Sequence, residues 1–202
     1  MAAIKIIDYK AGNAPSVMHA AGRLGCQADF ARCAEDLAGA SHIILPGVGS
    51  AGATMKSLGE LGIINTLEDI VVSQKSALFL GICVGMQILF EHSEEEDAAC
   101  LGWLKGRVVR FDSSKIRVPQ MGWNRVRFRD SGLGTVREDC FYFVNSYHAV
   151  PGDSNDTWGT ADYGAAFTAA VNRGNIYATQ FHVEKSGEAG LRLFKRFLDM
   201  RA

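Results

Sequence analysis

Ala77-Leu78-Phe79-Leu80-Gly81-Ile82-Cys83-Val84-Gly85-Met86-Gln87 runs from an apolar strand through Gly-x-Cys-x-Gly into a helix-forming segment. It reads as a cysteine nucleophile on an elbow. A residue held on a sharp strand-to-helix turn leaves no room for side chains two positions to either side, and Gly81 and Gly85 fill those two positions. Cys83 then projects its sulfur from the end of a strand and stands at the start of a helix, where unpaired backbone N–H groups and the positive dipole end favour a thiolate.

Working outward from the elbow, short apolar strands alternate with helical patterns, which is the signature of a parallel α/β sheet. Strands are expected at 4–8, 28–30, 42–45 and 77–80, and helices over about 16–24, 63–73 and 85–92. The nucleophile would lie at the carboxyl end of a central strand, where open α/β sheets place their ligands. After Gly106 the pattern turns β-rich (107–111, 124–128, 141–144, 166–172, 176–180), with Gly, Asp and Asn turns. A last amphipathic helix, 187–200, carries Leu191, Phe194, Phe197 and Leu198 on one face. The expected fold is therefore α/β, a mostly parallel central sheet flanked by helices with an antiparallel β extension, in one domain spanning 1–202.

Composition narrows the function classes. The chain has 202 residues, 48% hydrophobic, with a formal charge of −1 and basic residues scattered along it. That leaves no phosphate-backbone footprint, so nucleic acid is not an expected partner. No apolar stretch approaches the roughly 20 residues of a membrane span, and the lysine in Met1-Ala2-Ala3-Ile4-Lys5-Ile6-Ile7 marks a first strand rather than a signal peptide. The five cysteines (Cys26, Cys33, Cys83, Cys100, Cys140) are odd in number, widely spread and without Cys-x-x-Cys. This suits free thiols in a reducing cytoplasm and argues against a disulfide framework or a metal centre; no cofactor is expected.

A thiol nucleophile needs a base near neutral pH. Of the five histidines, His182 stands out in Gln180-Phe181-His182-Val183-Glu184-Lys185-Ser186, because residues i and i+2 on a strand share a face and Glu184 could then fix the imidazole tautomer. This gives a Cys83, His182, Glu184 triad, in an order unlike that of the α/β-hydrolases. His19, His42 and His92 read as structural. Oxyanion donors are expected from Leu45-Pro46-Gly47-Val48-Gly49-Ser50, through the N–H groups of Val48 and Gly49, and from the N–H of Val84. The glycines make that loop easy to reorient, so a hole that assembles on demand is foreseen. The acidic run Glu94-Glu95-Glu96-Asp97 reads by itself as a solvated helix end.

These residues resemble the class I (triad) glutamine amidotransferases, and within them the glutaminase subunits of imidazole glycerol phosphate synthases. The similarity is carried by Ile7-Asp8-Tyr9 with Gly12-Asn13, the Pro-Gly-Val-Gly loop, the elbow, Val118-Pro119-Gln120-Met121-Gly122-Trp123-Asn124, Phe141-Tyr142-Phe143-Val144-Asn145-Ser146-Tyr147 and the His-x-Glu segment. The resemblance implies that Cys83 attacks the amide of L-glutamine, that His182 protonates the departing ammonia, and that Gly49, Gln87, Glu95, Ser146 and Tyr147 hold the substrate, with Glu95 facing its ammonium group. It also implies a (β/α)8-barrel cyclase subunit as heterodimer partner, fed with ammonia for histidine biosynthesis and docked on Met121, Trp123 and Asn124, which are expected on a loop. Val183 replaces the family's proline and would permit a longer strand there. Two alternatives are the same glutaminase serving another synthase, such as one that amidates surface-polysaccharide sugars, and a non-catalytic binding module of the same fold.

Overall fold

The computed structural model describes residues 3–10, 13–129 and 138–201; Gly12 of the first motif lies outside them. The first half comprises β1 (Ile4–Ile7), α1 (Ala14–Arg23), β2 (Ala28–Ala31), β3 (His42–Gly47), α2 (Ala51–Glu60), α3 (Ile64–Glu68), β4 (Leu78–Cys83) and α4 (Val84–Gln87). The second half carries β5 (His92–Ser93), β6 (Ala98–Ala99), β7 (Gly106–Arg110), β8 (Gln120–Phe128), β9 (Glu138–Asn145) and β10 (Tyr147–Pro151). It closes with β11 (Thr157–Asp162), β12 (Ala166–Arg173), β13 (Ile176–Thr179) and α5 (Gly187–Asp199).

Among the described residues thirteen strands join one sheet, in the order β2-β1-β3-β4-β13-β12-β10-β7-β5-β6, with β11, β8 and β9 branching from β12. The five strands from β2 to β13 run parallel. From β12 onward the pairing is mainly antiparallel, as the Gly- and Asn-rich turns of the second half required. Every residue of β3 and β4 is buried, because helices cover both faces of the parallel part. On α5 the buried face is Gly190, Leu193, Phe194, Phe197 and Leu198, while Leu191 is only half-buried. No helix among the described residues is long and apolar enough to cross a membrane.

Several boundaries differ from the sequence reading. Helix α2 was not anticipated; Ser50 caps it by accepting Ala53 N–H at 3.2 Å, and Ala51, Thr54 and Leu58 anchor it in the core. The helix after the elbow ends at Gln87 instead of continuing to His92, since His92–Ser93 is drawn into a short ladder with Ala98–Ala99. Strand β8 begins at Gln120, so Met121, Trp123 and Asn124 lie on a strand and not on a loop. The run around Glu95–Asp97 is a 3-10 turn with Glu96 and Asp97 at positive φ, not a helix end.

Candidate active site

The elbow is built by three glycines. Gly47 lies opposite Cys83 in the β3–β4 register. A Cβ on Gly81 would fall within 3.0 Å of the Gly85 carbonyl, one on Gly85 within 3.0 Å of the Leu45 carbonyl, and one on Gly47 2.6 Å from Gly85 N. This close approach of backbones forces Cys83 to φ 56°, ψ −108°, a conformation that costs a non-glycine residue about 1–3 kcal/mol. Only a surrounding structure that fixes the turn from both sides holds it there.

Strand β13 pairs with β4 in parallel, Thr179 opposite Ile82, so the chain leaves the sheet beside the elbow. There it does not continue as a strand. Val183–Lys185 forms a 3-10 turn, and the contact between His182 and Glu184 comes from that turn rather than from strand alternation. Val183 is wholly buried, which shows what the residue in the usual proline position does here: it packs inward and extends no ladder. His182 Nδ1 and Glu184 Oε1 are 2.8 Å apart with both side chains almost inaccessible. Asn13 donates to the same Glu184 oxygen at 3.1 Å and is itself held by Ser16 at 2.7 Å. Ser186 Oγ donates to the His182 carbonyl at 2.6 Å and accepts from Tyr142 N–H at 2.9 Å.

Burial works against a charge on His182, but its hydrogen bonds to Cys83 and Glu184 and the negative charges on both override it, raising its pKa to about 10. Glu184 is shifted oppositely: burial favours its neutral form, yet the bond to His182 prevails and its pKa falls below the ordinary carboxylate value. The pair therefore favours a buried imidazolium held against the Glu184 carboxylate.

A cleft of about 300 Å³ opens over the sulfur. Val48, Gly49, Cys83, Val84, Gln87 and Glu95 line one part of it, and Ser146, Tyr147 and His182 another. Cys83 and His182 thus come together with the sequence-predicted loop and substrate residues around one cavity, while Glu184 is buried behind His182 and does not line it. Gly49 sits at φ 91°, a backbone state in which glycine is at ease. Glu95 is half-buried; desolvation raises its pKa, partly offset by a hydrogen bond from Ala51 N–H at 3.1 Å. Gln87 spends its amide nitrogen on the Tyr147 carbonyl at 3.2 Å and on Gln180 Oε1 at 3.1 Å.

Met121 and Trp123 are 65% and 60% exposed, on the face of β8 whose partners on β9 are Val144 and Tyr142. Val144 also lines the cleft. Asn124 belongs to the opposite face: its amide donates to the Asp162 carbonyl at 2.7 Å. Two of the remaining histidines are held by local hydrogen bonds. His42 is buried between Ser41 Oγ and the Phe197 carbonyl, and His92 pairs with Asp97. Sequence reasoning did not single out Gln180, Asn13, Ser186 or Lys185 for the site; apart from their place in the matching motifs, nothing local marks them.

Residues 5–200 match the family model for class-I glutamine amidotransferases. The imidazole glycerol phosphate synthase subunit HisH of Geobacillus thermodenitrificans is 43% identical, over 98% of this chain and 96% of that one. The chloroplastic imidazole glycerol phosphate synthase hisHF of Arabidopsis thaliana is 41% identical, over 96% of this chain and 34% of that one. A solved glutamine amidotransferase superposes with a TM-score of 0.77 at 23% identity, covering 97% of each chain. The chain belongs to the class-I glutamine amidotransferase family.

Proposed function

We propose that this protein is the glutaminase subunit of an imidazole glycerol phosphate synthase, hydrolysing L-glutamine to glutamate and passing the ammonia to a cyclase subunit. The observation that carries the chemistry is the buried His182–Glu184 pair, 2.8 Å apart, beside a cysteine strained at the end of a central strand. Cys83 sulfur attacks the amide carbon of glutamine, and the electron pair of the carbonyl moves to oxygen, where the N–H groups of Val48 or Gly49 and of Val84 receive it. Collapse of that intermediate breaks the C–N bond as His182 delivers its proton to the departing nitrogen. Water, losing a proton to His182, then opens the thioester and releases glutamate. Glu184 orients the imidazole throughout; Glu95 answers the substrate ammonium, and Gly49, Gln87, Ser146 and Tyr147 frame the rest.

Ammonia is largely protonated in neutral water and then ceases to be a nucleophile, so a dry route to an acceptor site is part of the function. The Arabidopsis relative, of which this chain matches only a third, supports a physically attached second activity. A (β/α)8-barrel cyclase seated on Met121 and Trp123 would cover the face that adjoins the cleft through Val144. Five free cysteines suit a reducing compartment, and we place the enzyme in the cytoplasm. The test is glutamate release from glutamine by the chain alone and with a barrel cyclase and its acceptor ligand, with Cys83→Ala as the blank. Release that rises strongly in the complex and drops by more than about a thousandfold in the blank is expected. A folded complex without release would leave a binding module, and activation by a sugar-amidating synthase instead would reassign the acceptor.

A further inference from the structure

Three polar groups in series end on the sulfur of Cys83. Gln87 Nε2 donates to the Tyr147 carbonyl at 3.2 Å and to Gln180 Oε1 at 3.1 Å, and Gln180 Nε2 lies 3.6 Å from Cys83 Sγ. Gln180 is completely buried and Gln87 is 3% exposed. The polarity of the series is forced. A backbone carbonyl only accepts, so it fixes which end of the Gln87 amide is nitrogen; that nitrogen's second hydrogen must meet the Gln180 oxygen, and the Gln180 nitrogen is left facing sulfur. The backbone of Gln180 is pinned as well, its N–H donating to the Ala169 carbonyl at 2.8 Å.

A neutral thiol is a weak acceptor, whereas hydrogen bonds to an ionised acceptor are roughly twice as strong. The aimed N–H therefore acts chiefly on the thiolate. Being an amide, it cannot take the thiol proton, so it stabilises the anion without competing with His182 in proton transfer. We propose that Gln180 is a catalytic donor to the Cys83 thiolate and that Gln87 is a positioning residue acting on that sulfur through Gln180. The proposal rests on the glutaminase reading and deepens it: both N–H groups of Gln87 are engaged before any glutamine arrives. The other titratable groups about this sulfur are His182, Glu184 and Lys185 on the segment after β13, Glu95 from the 3-10 turn, and Tyr9 just beyond β1.

The test is substrate-free. The rate of Cys83 alkylation by iodoacetamide is followed against pH in the full chain, reading the Cys83 peptide by mass spectrometry so that the other four cysteines do not interfere. Gln180→Met is expected to move the midpoint of that profile upward by about one pH unit, about tenfold less thiolate at a given pH below it. Gln87→Met should move it in the same direction, and the double variant no further than Gln180→Met alone. Glutamine kcat/KM should fall at least about tenfold in Gln180→Met. An unmoved midpoint in a folded Gln180→Met protein overturns the assignment. Should that variant fail to fold, Gln87→Met decides: a raised KM with an unshifted midpoint makes Gln87 a substrate ligand only and removes the relay. Because alkylation needs no glutamine turnover, a shifted midpoint in a chain that releases no glutamate even in a folded complex with a cyclase and its acceptor ligand would sink the glutaminase reading and leave the donor standing.

Discussion

The carboxylate of Glu95 accepts the backbone N–H of Ala51 at 3.1 Å, tying the acid wall of the cleft to the first turn of the helix that follows Val48–Ser50. A substrate ammonium that meets Glu95 would therefore meet a group already holding the end of the proposed oxyanion loop. With glutamine, Glu95→Gln and Glu95→Ala should both raise KM by more than about tenfold. With glutaramate, which lacks the α-ammonium, the difference between them isolates the loop contact. Gln keeps an acceptor for Ala51 and should retain more kcat than Ala; equal values for the two variants would show that Glu95 serves the ammonium alone.

The pH dependence of stability should carry the signature of His182. Its pKa in the folded chain, about 10, lies above the ordinary 6.5, so proton binding favours the native state. That contribution is fully present below about pH 6.5 and fades as the pH climbs toward 10. The difference in urea midpoint between wild type and His182→Gln should accordingly shrink between pH 7 and 10. In Cys83→Ala the sulfur no longer supports the imidazolium, and the His182 pKa read by NMR titration should fall.

Glycines of equal size have opposite expected effects. Gly85→Ala would drive a Cβ into the Leu45 carbonyl, a backbone atom that cannot swing aside, and should cost about 3 kcal/mol or more in urea denaturation. Gly22→Ala, on the exposed face of α1 with open space around it, should stabilise by about 0.5–1 kcal/mol.

Met121 and Trp123 should behave differently from their neighbour Asn124. Trp123 stands clear of the β8–β9 ladder against the edge of Tyr142, ring centroids 5.9 Å apart, and Trp123→Ala should weaken cyclase binding by about 2 kcal/mol, roughly thirtyfold in Kd. Asn124→Ala removes the strut to the Asp162 carbonyl and should lower the melting temperature with little change in Kd. Isothermal titration and thermal unfolding of the same variants separate the two effects.

The features that could be read from the chain were those with a local cause. Gly81 and Gly85 announce the elbow because steric exclusion acts over two residues, and the change from 3.6-residue to 2-residue periodicity after Gly106 announces the antiparallel half. Helix α2 was hidden because Gly52, Thr54, Ser57 and Gly59 are poor helix formers; its reason to exist is the Ser50 cap and the burial of Leu58. Gln180 was hidden for a different reason: a glutamine in a strand-like run reads as solvent-facing until β13 is known to lie between β4 and β12. His182 and Glu184 were paired from the sequence by strand alternation, yet a 3-10 turn achieves the contact. The pairing came from the right residues through the wrong backbone.

The strand order β3-β4-β13 has a temporal meaning. The nucleophile is complete at residue 83, but the slot beside its strand stays vacant until residues 176–179 arrive, and with them the segment bearing His182 and Glu184. A ribosome-bound or prematurely terminated chain thus displays a cysteine without its imidazole, and a sheet missing an inner member. The triad is therefore complete only once residue 184 has been made, 101 positions after the cysteine it serves.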